Sequence, residues 1–386
     1  MKATSPVYTG LPMTIFEVMS RLATENGAIN LGQGFPDVDG PADVKDVAAR
    51  EIVSGLNQYP PMMGLPELRR AVADANRRFY GLDVDWQREV LVTSGATEAL
   101  SDCFNALIEP GDEIVVIEPL YDSYLPVIRR AGATPRLVRV TPPHWRLDRD
   151  ALAAAFGPKT KAILLNNPMN PAGRVFSADE LQAIADLVIA HDAYAICDEV
   201  YEHIVFDGRR HLPLMSLPGM RERCVRIGSA GKTFSLTGWK VGYVTAAPRL
   251  LEPITKAHQF TTFVTPPAFQ KAVAYGLGKG DDYYAGLAGD LEKKRDRFAA
   301  GLSRLGFSVA ACEGTYFITA DASPLRRNVD DAELCRRMTV EAKVAAVPVS
   351  VFYEGEAPKT FVRFCFAKRD EVLDGAIERL GAWLGR

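Results

Sequence analysis

The sequence predicts an α/β protein in which a mainly parallel central sheet is sandwiched by helices and joined to a smaller α+β domain. Between residues 90 and 245, apolar runs of strand length alternate with amphipathic stretches. Such alternation is typical of a parallel sheet that is covered on both faces. Beyond residue 285 the order changes to a long charged helix, a strand, a helix, a strand and a last helix. That order indicates a separate α+β layer.

Six apolar runs are predicted to form the strands of the large sheet: 89–95, 113–119, 161–167, 193–199, 224–230 and 241–247. Helices are expected at 97–108, 122–131 and 178–190. The last of these follows Ser177 and Glu180, which have the spacing of a capping box. In the C-terminal part we expect helices at 287–305 and 331–343, strands at 315–321 and 361–367, and a final helix that starts at Asp370.

These elements suggest three segments along the chain. Residues 1–44 form an N-terminal segment that joins the small domain, residues 45–285 form a large ligand-binding domain, and residues 286–386 form the small α+β domain. A ligand is expected in the cleft between the two domains.

Composition excludes several classes of function. The chain has 386 residues, a hydrophobic fraction of 47% and a net charge of −3 spread along its length. This charge gives no reason to expect binding to nucleic acid or to a membrane surface. No stretch approaches the roughly 20 apolar residues of a membrane span, and the first residues lack a signal-peptide core. The six cysteines are scattered without C-x-x-C spacing, which is typical of reduced core thiols in a cytoplasmic enzyme or binding protein.

Four short segments with polar or small residues follow predicted strands. They are SGATEAL (94–100), NNPMNPAG (166–173), DEVYEH (198–203) and GSAGKTFSLTGWK (228–240). In an open α/β sheet, ligands bind at the carboxyl ends of the strands. The turn before Thr97 offers backbone N–H groups at a helix start, which suits a phosphate, although an ordinary strand–helix turn looks the same. Asp198 is costly to bury unless a cation, either a basic side chain or a protonated pyridine nitrogen, pairs with it.

The sequence disfavours three other kinds of site: a P-loop, a dinucleotide-binding loop and a metal site. The segment ending in Gly231-Lys232-Thr233 lacks the first glycine of a phosphate-binding P-loop, because Arg226 occupies that position. GQGFPD (32–37) starts like a dinucleotide fingerprint but continues into Phe-Pro-Asp, so a glycine turn that receives a carboxylate is the better interpretation. Glu199 and His203 lack a third ligand nearby, and no metal site is predicted.

Together the segments meet the needs of one cofactor, pyridoxal 5'-phosphate (PLP). PLP chemistry requires a lysine, an acid at the ring nitrogen, a phosphate cup, donors to the ring hydroxyl and an aromatic plate. The motifs N-P-x-N-P-x-G, D-E-V-Y and S-x-x-K-T-F-S-x-T-G-W, which begin at Asn167, Asp198 and Ser229, make the chain resemble the class I/II aminotransferases of the fold-type I PLP superfamily. In detail it is similar to the kynurenine, glutamine and methionine aminotransferases, and N-succinyldiaminopimelate aminotransferases look almost as similar.

This resemblance implies a role for each cofactor-binding residue. Lys232 would form the Schiff base with PLP and then carry the proton, and Asp198 would hold the ring nitrogen protonated. Asn170 and Tyr201 would bind the ring hydroxyl. Tyr121 would stack on the ring. The phosphate would be held by four residues: Ala96, Thr97, Ser229 and Lys240. Tyr59 would reach the cofactor of the partner in a homodimer with shared sites.

The resemblance also implies how the amino-acid and 2-oxo-acid substrates bind. Arg363 would clamp the substrate α-carboxylate, with Gly34 and Asn170 assisting. The substrate side chain would meet an apolar wall made of Phe16, Tyr121, Val264 and Phe352. An uncharged side chain of medium length, or an aromatic one, would suit such a wall, as in methionine, glutamine, phenylalanine or kynurenine.

Three positions depart from the pattern of many relatives. Gly231 stands where a serine is common, Lys240 where an arginine is common, and Thr97 where an aromatic residue often lines the pocket. Three alternative functions share the same residues: N-succinyldiaminopimelate aminotransferase, for which Arg326 or Arg327 could supply cations, a PLP-dependent C–S β-lyase, and a non-catalytic PLP-binding regulator.

Overall fold

The computed structural model describes Lys2, residues 4–325 and residues 329–386. Its strands are β1 Ile29–Asn30, β2 Val90–Thr93, β3 Glu113–Glu118, β4 Thr134–Arg139, β5 Thr160–Asn166, β6 Tyr194–Asp198, β7 Cys224–Ser229, β8 Gly242–Ala246, β9 Ser308–Val309, β10 Phe317–Asp321, β11 Val344–Ala345, β12 Val347–Pro348 and β13 Phe361–Cys365.

The helices in the same part of the chain are α1 Pro6–Thr9, α2 Ile15–Glu25, α3 Ala42–Ser54, α4 Pro66–Tyr80, α5 Ala96–Leu107, α6 Tyr124–Arg130, α7 Arg149–Ala155, α8 Ala178–Ala190, α9 Ala230–Thr233, α10 Pro248–Thr261, α11 Pro267–Leu277, α12 Asp281–Arg304, α13 Asp331–Arg337 and α14 Asp370–Leu384. A π-helical turn, Met338–Ala342, continues α13.

The central sheet has seven strands in the order β2-β8-β7-β6-β5-β3-β4. Its neighbours are parallel except around β8, which runs antiparallel to both β2 and β7. The predicted α/β class and mainly parallel sheet are therefore confirmed. Strand β4 was not predicted from the sequence; it is an edge strand that pairs with β3 and contains Pro135. Proline is tolerated there because one side of an edge strand needs no hydrogen-bond donor.

Helices cover the sheet on both faces, and the alternation of side chains in β3 shows how. Ile114 and Val116 pack in a core cluster with α5 and α10, while Val115 and Ile117 pack on the opposite face in a cluster with α8. Successive side chains of a strand point to opposite faces. A strand buried on both faces must therefore be apolar at nearly every position, which explains the continuous apolar runs in the sequence.

A second, four-stranded antiparallel sheet has the order β12-β13-β10-β9 and packs with α12, α13 and α14. The N-terminal segment adds to this layer, because β1 pairs with β11 in parallel. Tyr201 and Ile204, just beyond β6, belong to the same core cluster and tie this layer to the edge of the large sheet. The predicted limits at 44/45 and 285/286 fall inside α3 and α12, and the three-segment division remains a prediction.

Ser177 and Glu180 form the predicted capping box at the start of α8. The six cysteines are buried and free of disulfides. In the described residues, no helix combines the length and the apolar character that a membrane crossing requires.

Candidate active site

A cavity of about 350 Å³ lies where β2, β5, β6 and β7 end, between the large sheet and the four-stranded layer. Carboxyl ends of parallel strands meet at one edge of a sheet, so the four segments singled out in the sequence come together here. Phe16 of α2, Gly34 of the loop after β1 and Arg363 of β13 also line the cavity. Three predicted site residues, Tyr59, Val264 and Phe352, do not line this cavity. Those that do are Phe16, Gly34, Ala96, Thr97, Tyr121, Asn170, Asp198, Tyr201, Ser229, Lys232, Lys240 and Arg363.

Lys232 lies in the short helix α9, directly after β7. The backbone is tightly packed around it, since a Cβ atom at Gly231 would lie 3.0 Å from the Thr237 Cα. Its Nζ donates a hydrogen bond to the Tyr316 hydroxyl at 3.1 Å. Burial lowers the pKa of Lys232 to about 8, although the nearby Asp198 carboxylate acts in the opposite direction. A lysine shielded from solvent in this way reaches its neutral, nucleophilic form much closer to neutral pH than a surface lysine does.

Asp198 ends β6 as a buried carboxylate. Its Oδ2 accepts a hydrogen bond from the Tyr124 hydroxyl at 2.6 Å, and its Oδ1 accepts one from the Val200 N–H at 3.4 Å. Burial raises the pKa of Asp198, while the Tyr124 hydrogen bond lowers it. These partners are a hydroxyl and a backbone N–H rather than a cation. A carboxylate buried in this way is well placed to receive a cationic ring nitrogen.

The turn before α5 forms a cup for an anion. Gly95 has φ 80°, and a Cβ atom at Gly242 would lie 2.6 Å from the Gly95 carbonyl carbon. Only glycine permits β8 to come so close. A Cβ atom at Gly95 would lie 3.4 Å from the Lys240 Nζ, so that amine stands over the turn. The N–H groups of the first turn of α5, which starts at Ala96, join this positive charge, and together they suit a phosphate.

A buried polar cluster holds the same turn from behind. The Glu98 carboxylate accepts hydrogen bonds from the Ser94 N–H and the Thr262 hydroxyl, and it lies 2.8 Å from the His258 Nδ1. The His258 Nε2 lies 3.1 Å from the Met62 carbonyl oxygen. With Asp102, Glu98 and His258 form a group that could in principle hold a metal ion. Because the Glu98 and His258 atoms already bind three loops, we interpret the cluster as a clamp on the turn.

Arg363 reaches the opposite wall of the cavity from β13. Its guanidinium donates to the Asn170 Oδ1 at 3.0 Å and to the Gly32 carbonyl at 2.7 Å, and it lies 4.0 Å from the centre of the Phe317 ring. Burial lowers the pKa of Arg363 to about 10, so it is still cationic at neutral pH. Its Nε is buried without a hydrogen-bond partner. A buried donor of this kind fits an incoming carboxylate.

Tyr59 lies outside this cavity and is 78% exposed. Its ring packs edge-on against Phe263 at 5.5 Å, and it lines a separate surface cavity together with Val264. A single chain therefore does not bring Tyr59 or Val264 to Lys232. Phe352, the other predicted wall residue, lies near Phe16, with ring centres 6.0 Å apart. Arg326 and Arg327, considered as sources of positive charge, lie outside the described residues.

Comparison with known proteins places these observations in a family. The family model described as aminotransferase class I and II matches residues 26–380. This chain belongs to the class I and II aminotransferases. It is an enzyme of the transferase class with the fold-type I architecture, and its family uses PLP.

Three relatives show how similar this aminotransferase is to named enzymes. It is 47% identical to the probable N-succinyldiaminopimelate aminotransferase DapC of Mycobacterium tuberculosis over 95% of both chains. The structure of the M. tuberculosis N-succinyldiaminopimelate aminotransferase superimposes with a TM-score of 0.96 and 46% identity, covering 99% of this chain and 100% of that one. Identity is 40% to the methionine aminotransferase of Escherichia coli, over 96% of both chains. It is 39% to the human kynurenine–oxoglutarate transaminase 3, over 97% of this chain and 89% of that one.

Three residues that contact Asp198 or Lys232 were not predicted from the sequence. Tyr124 bonds Asp198, Tyr316 bonds Lys232, and the Asn166 amide donates to the Asp198 carbonyl at 3.0 Å. Asn166 opens the segment 166–173, so its position at the end of β5 could have indicated that it lies in the site. Tyr124 and Tyr316 carried no such signal, because a tyrosine in an amphipathic helix or an apolar strand looks like an ordinary core residue.

Proposed function

We propose that this aminotransferase binds PLP in the cavity and transfers the α-amino group of an L-amino acid with an uncharged or aromatic side chain to a 2-oxo acid by a ping-pong reaction. The observation that carries the proposal is that Lys232 and Asp198 line the same cavity. Lys232 has a pKa lowered to about 8, and Asp198 is a carboxylate whose direct partners are neutral. Each group supplies what the cofactor's aldehyde and ring nitrogen require.

The other residues of the cavity fit the remaining parts of PLP. Asp198 would hold the ring nitrogen protonated, Asn170 and Tyr201 would bind the ring hydroxyl, and Tyr121 would stack on the ring. Four residues would hold the phosphate: Ala96, Thr97, Ser229 and Lys240. When bound, PLP supplies an electron sink that acidifies the Cα–H of the amino acid. The Lys232 amine then takes up the Cα proton at Nζ and returns it.

The substrate α-carboxylate would bind Arg363, assisted by the Gly34 backbone and the Asn170 amide. Phe16, Tyr121 and Phe352 would form an apolar wall for the side chain, and burial there contributes roughly 25 cal/mol per Å² of apolar surface. In the described part of the chain, Arg363 is the one arginine that lines the cavity. A distal carboxylate would lack a second arginine, because Lys232 and Lys240 would serve the cofactor, and it would lose several kcal/mol on desolvation.

We expect methionine and glutamine to exceed aspartate by at least about tenfold in kcat/KM, with phenylalanine and kynurenine weaker donors than these two. A tenfold ratio corresponds to about 1.4 kcal/mol of differential binding in the transition state. The measurement is a side-by-side kinetic comparison of these donors with several 2-oxo acids. If aspartate proves to be the best donor, the apolar wall is not the determinant of specificity.

The main alternative is N-succinyldiaminopimelate as substrate, which the name of the 47%-identical M. tuberculosis relative favours. That substrate carries additional carboxylates and would require a cationic patch, for which Arg326 and Arg327 are candidates by position in the sequence. The same kinetic series therefore includes succinyldiaminopimelate, and a strong preference for it would assign the enzyme to lysine biosynthesis. A C–S β-lyase would instead release ammonia, a thiol and pyruvate, which product analysis detects.

We further propose a homodimer in which Tyr59 reaches the PLP phosphate of the partner's site. Tyr59 and Phe263 are exposed aromatic residues outside the chain's own cavity, and contiguous exposed aromatic residues often mark an interface. The Glu98–His258 cluster behind the phosphate turn is bonded to Met62, which is close in sequence to Tyr59, and to Thr262, which precedes Phe263. An interface at this point would thus be mechanically connected to the phosphate cup.

A heterodimer of a Tyr59→Phe chain and a Lys232→Ala chain is expected to retain about half of the wild-type activity. If each site takes Lys232 from one chain and Tyr59 from the other, one site carries both substitutions and the other carries neither. The dimer can be isolated with two different affinity tags and assayed for turnover.

The Tyr59→Phe homodimer is the control, and we expect it to retain cofactor less well. Were each site to use its own Tyr59, the heterodimer's one lysine-bearing site would have the Tyr59→Phe defect, and its activity would be half that of the control. A fully active monomer at working concentration would also contradict the shared site.

A further inference from the structure

We propose that Tyr316 is a positioning residue for the Lys232 amine, and that its hydroxyl couples this amine to the Gly34 loop at the substrate carboxylate site. The proposal rests on the proposed function, because it assigns Tyr316 a part in the same reaction. Tyr316 stands immediately before β10 of the four-stranded sheet, whereas Lys232 lies in α9, which follows β7 of the large sheet. The contact therefore joins the two sides of the cleft.

The directions of the two hydrogen bonds follow from the chemistry of the groups. The Tyr316 hydroxyl donates its one proton to the Gly34 carbonyl at 2.8 Å. In its bond with Lys232, whose Nζ lies 3.1 Å away, the hydroxyl oxygen can then act only as the acceptor. One N–H of the amine thus points at Tyr316, and in the neutral amine the lone pair is directed away from Tyr316. The lone pair is therefore free to accept a proton from a group other than Tyr316.

Tyr316 is held firmly enough to act as a fixed acceptor. Its side chain is buried, and its ring packs edge-on against Tyr201 at 5.2 Å and against Phe317 at 4.9 Å. Burial also raises the pKa of its hydroxyl well above the ordinary value, so the proton given to Gly34 stays on the tyrosine at working pH.

The Gly34 loop is anchored to the small domain at several points around Tyr316. Arg363 donates to the Gly32 carbonyl at 2.7 Å, and the Lys368 Nζ donates to the Phe35 carbonyl at 2.8 Å. The loop, Arg363 and Tyr316 are therefore positioned by the same layer. Any shift of that layer toward a bound carboxylate would move the acceptor of the Lys232 amine with it, which couples substrate binding to the placement of the base.

The test compares Tyr316→Phe with Tyr284→Phe. Both changes remove a buried tyrosine hydroxyl that donates to a backbone carbonyl, since the Tyr284 hydroxyl donates to Leu277 at 3.0 Å. The Tyr284 hydroxyl is bonded to Leu277, whereas the Tyr316 hydroxyl is bonded to Lys232, so Tyr284→Phe controls for a general loss of stability. Melting temperatures of the two variants show whether each is folded before the functional measurements.

The first measurement uses the full chain freed of cofactor. The rate at which acetic anhydride modifies Lys232, followed by mass spectrometry, is determined against pH. The charged and titratable groups near the amine are Asp198, Lys240, Arg363, Cys365, Tyr201 and Tyr316. Wild type should show a midpoint at about pH 8. Loss of an acceptor for the ammonium form should lower the midpoint by about one pH unit in Tyr316→Phe, and Tyr284→Phe should leave it unchanged.

The second measurement is turnover of the PLP-loaded enzyme. For Tyr316→Phe we expect kcat to fall about tenfold, with the KM for methionine changed less than about threefold, because the variant affects the base more than ground-state binding. An unchanged Lys232 midpoint with unchanged kcat would overturn the proposal. So would a rise in KM alone, since Tyr316 would then act only through the Gly34 loop. If wild type transaminates no amino acid, the proposed function fails, while the acetylation midpoint still tests the contact.

Discussion

Lys232→Ala is expected to abolish transamination while the protein still takes up PLP. The phosphate cup, Asp198 and the aromatic wall come from other residues, so the cofactor retains most of its binding partners. The reaction loses both its covalent anchor and its proton carrier. General acid–base catalysis alone typically contributes about 10²–10⁴-fold, and we expect a loss at the upper end of that range or beyond it.

The measurements are the turnover rate and the absorption band of the Schiff base between protein and cofactor. Lys271→Ala is a suitable control, because Lys271 forms an ion pair with Glu51 away from the cavity. That variant should behave like wild type. A Lys232→Ala protein that kept wild-type turnover and the absorption band would show that a different lysine binds the cofactor.

Asp198→Asn is expected to lower the transamination rate by about a thousandfold or more. Asparagine has nearly the same shape and can still accept the Tyr124 hydrogen bond, but it cannot hold a proton on the ring nitrogen. Without that proton the cofactor is a poor electron sink. Turnover measured at saturating PLP checks this expectation. A loss smaller than about tenfold, roughly 1.4 kcal/mol of barrier, would contradict the assignment.

Two controls separate the charge of Asp198 from its packing. Tyr124→Phe removes the 2.6 Å hydrogen bond but keeps the carboxylate, so its loss of rate should be much smaller. Stability provides the second control. Because burial raises the pKa of Asp198, the folded, cofactor-free protein loses stability as pH rises above the carboxyl's unfolded pKa and through its folded one. The asparagine side chain does not ionise, and cofactor-free Asp198→Asn should therefore melt at a higher temperature than wild type at neutral pH.

The sequence by itself determined the large sheet and the place of the site. The cores of the predicted runs, such as 114–117 and 162–165, are apolar at every position because both faces of the sheet are covered. That pattern identifies a strand without any tertiary information. Asp198 lies near the end of the run 193–199, and Lys232 follows the run 224–230. These residues had to meet, because the carboxyl ends of parallel strands share one edge. The capping box at Ser177 and Glu180 was equally local, since both partners lie within one helical turn.

Only the tertiary structure decided the features that depend on distant or weakly patterned segments. The edge strand β4 exposes much of its surface and lacks a continuous apolar run. The direction of β8 is not encoded in its hydrophobicity, because a strand has the same pattern in either direction. Tyr124 and Tyr316 became partners of Asp198 and Lys232 only through packing, and the bond from Tyr316 to Gly34 joins residues 282 positions apart. Such contacts depend on how the four-stranded layer packs against the edge of the large sheet, and no local pattern specifies which side chains then face each other.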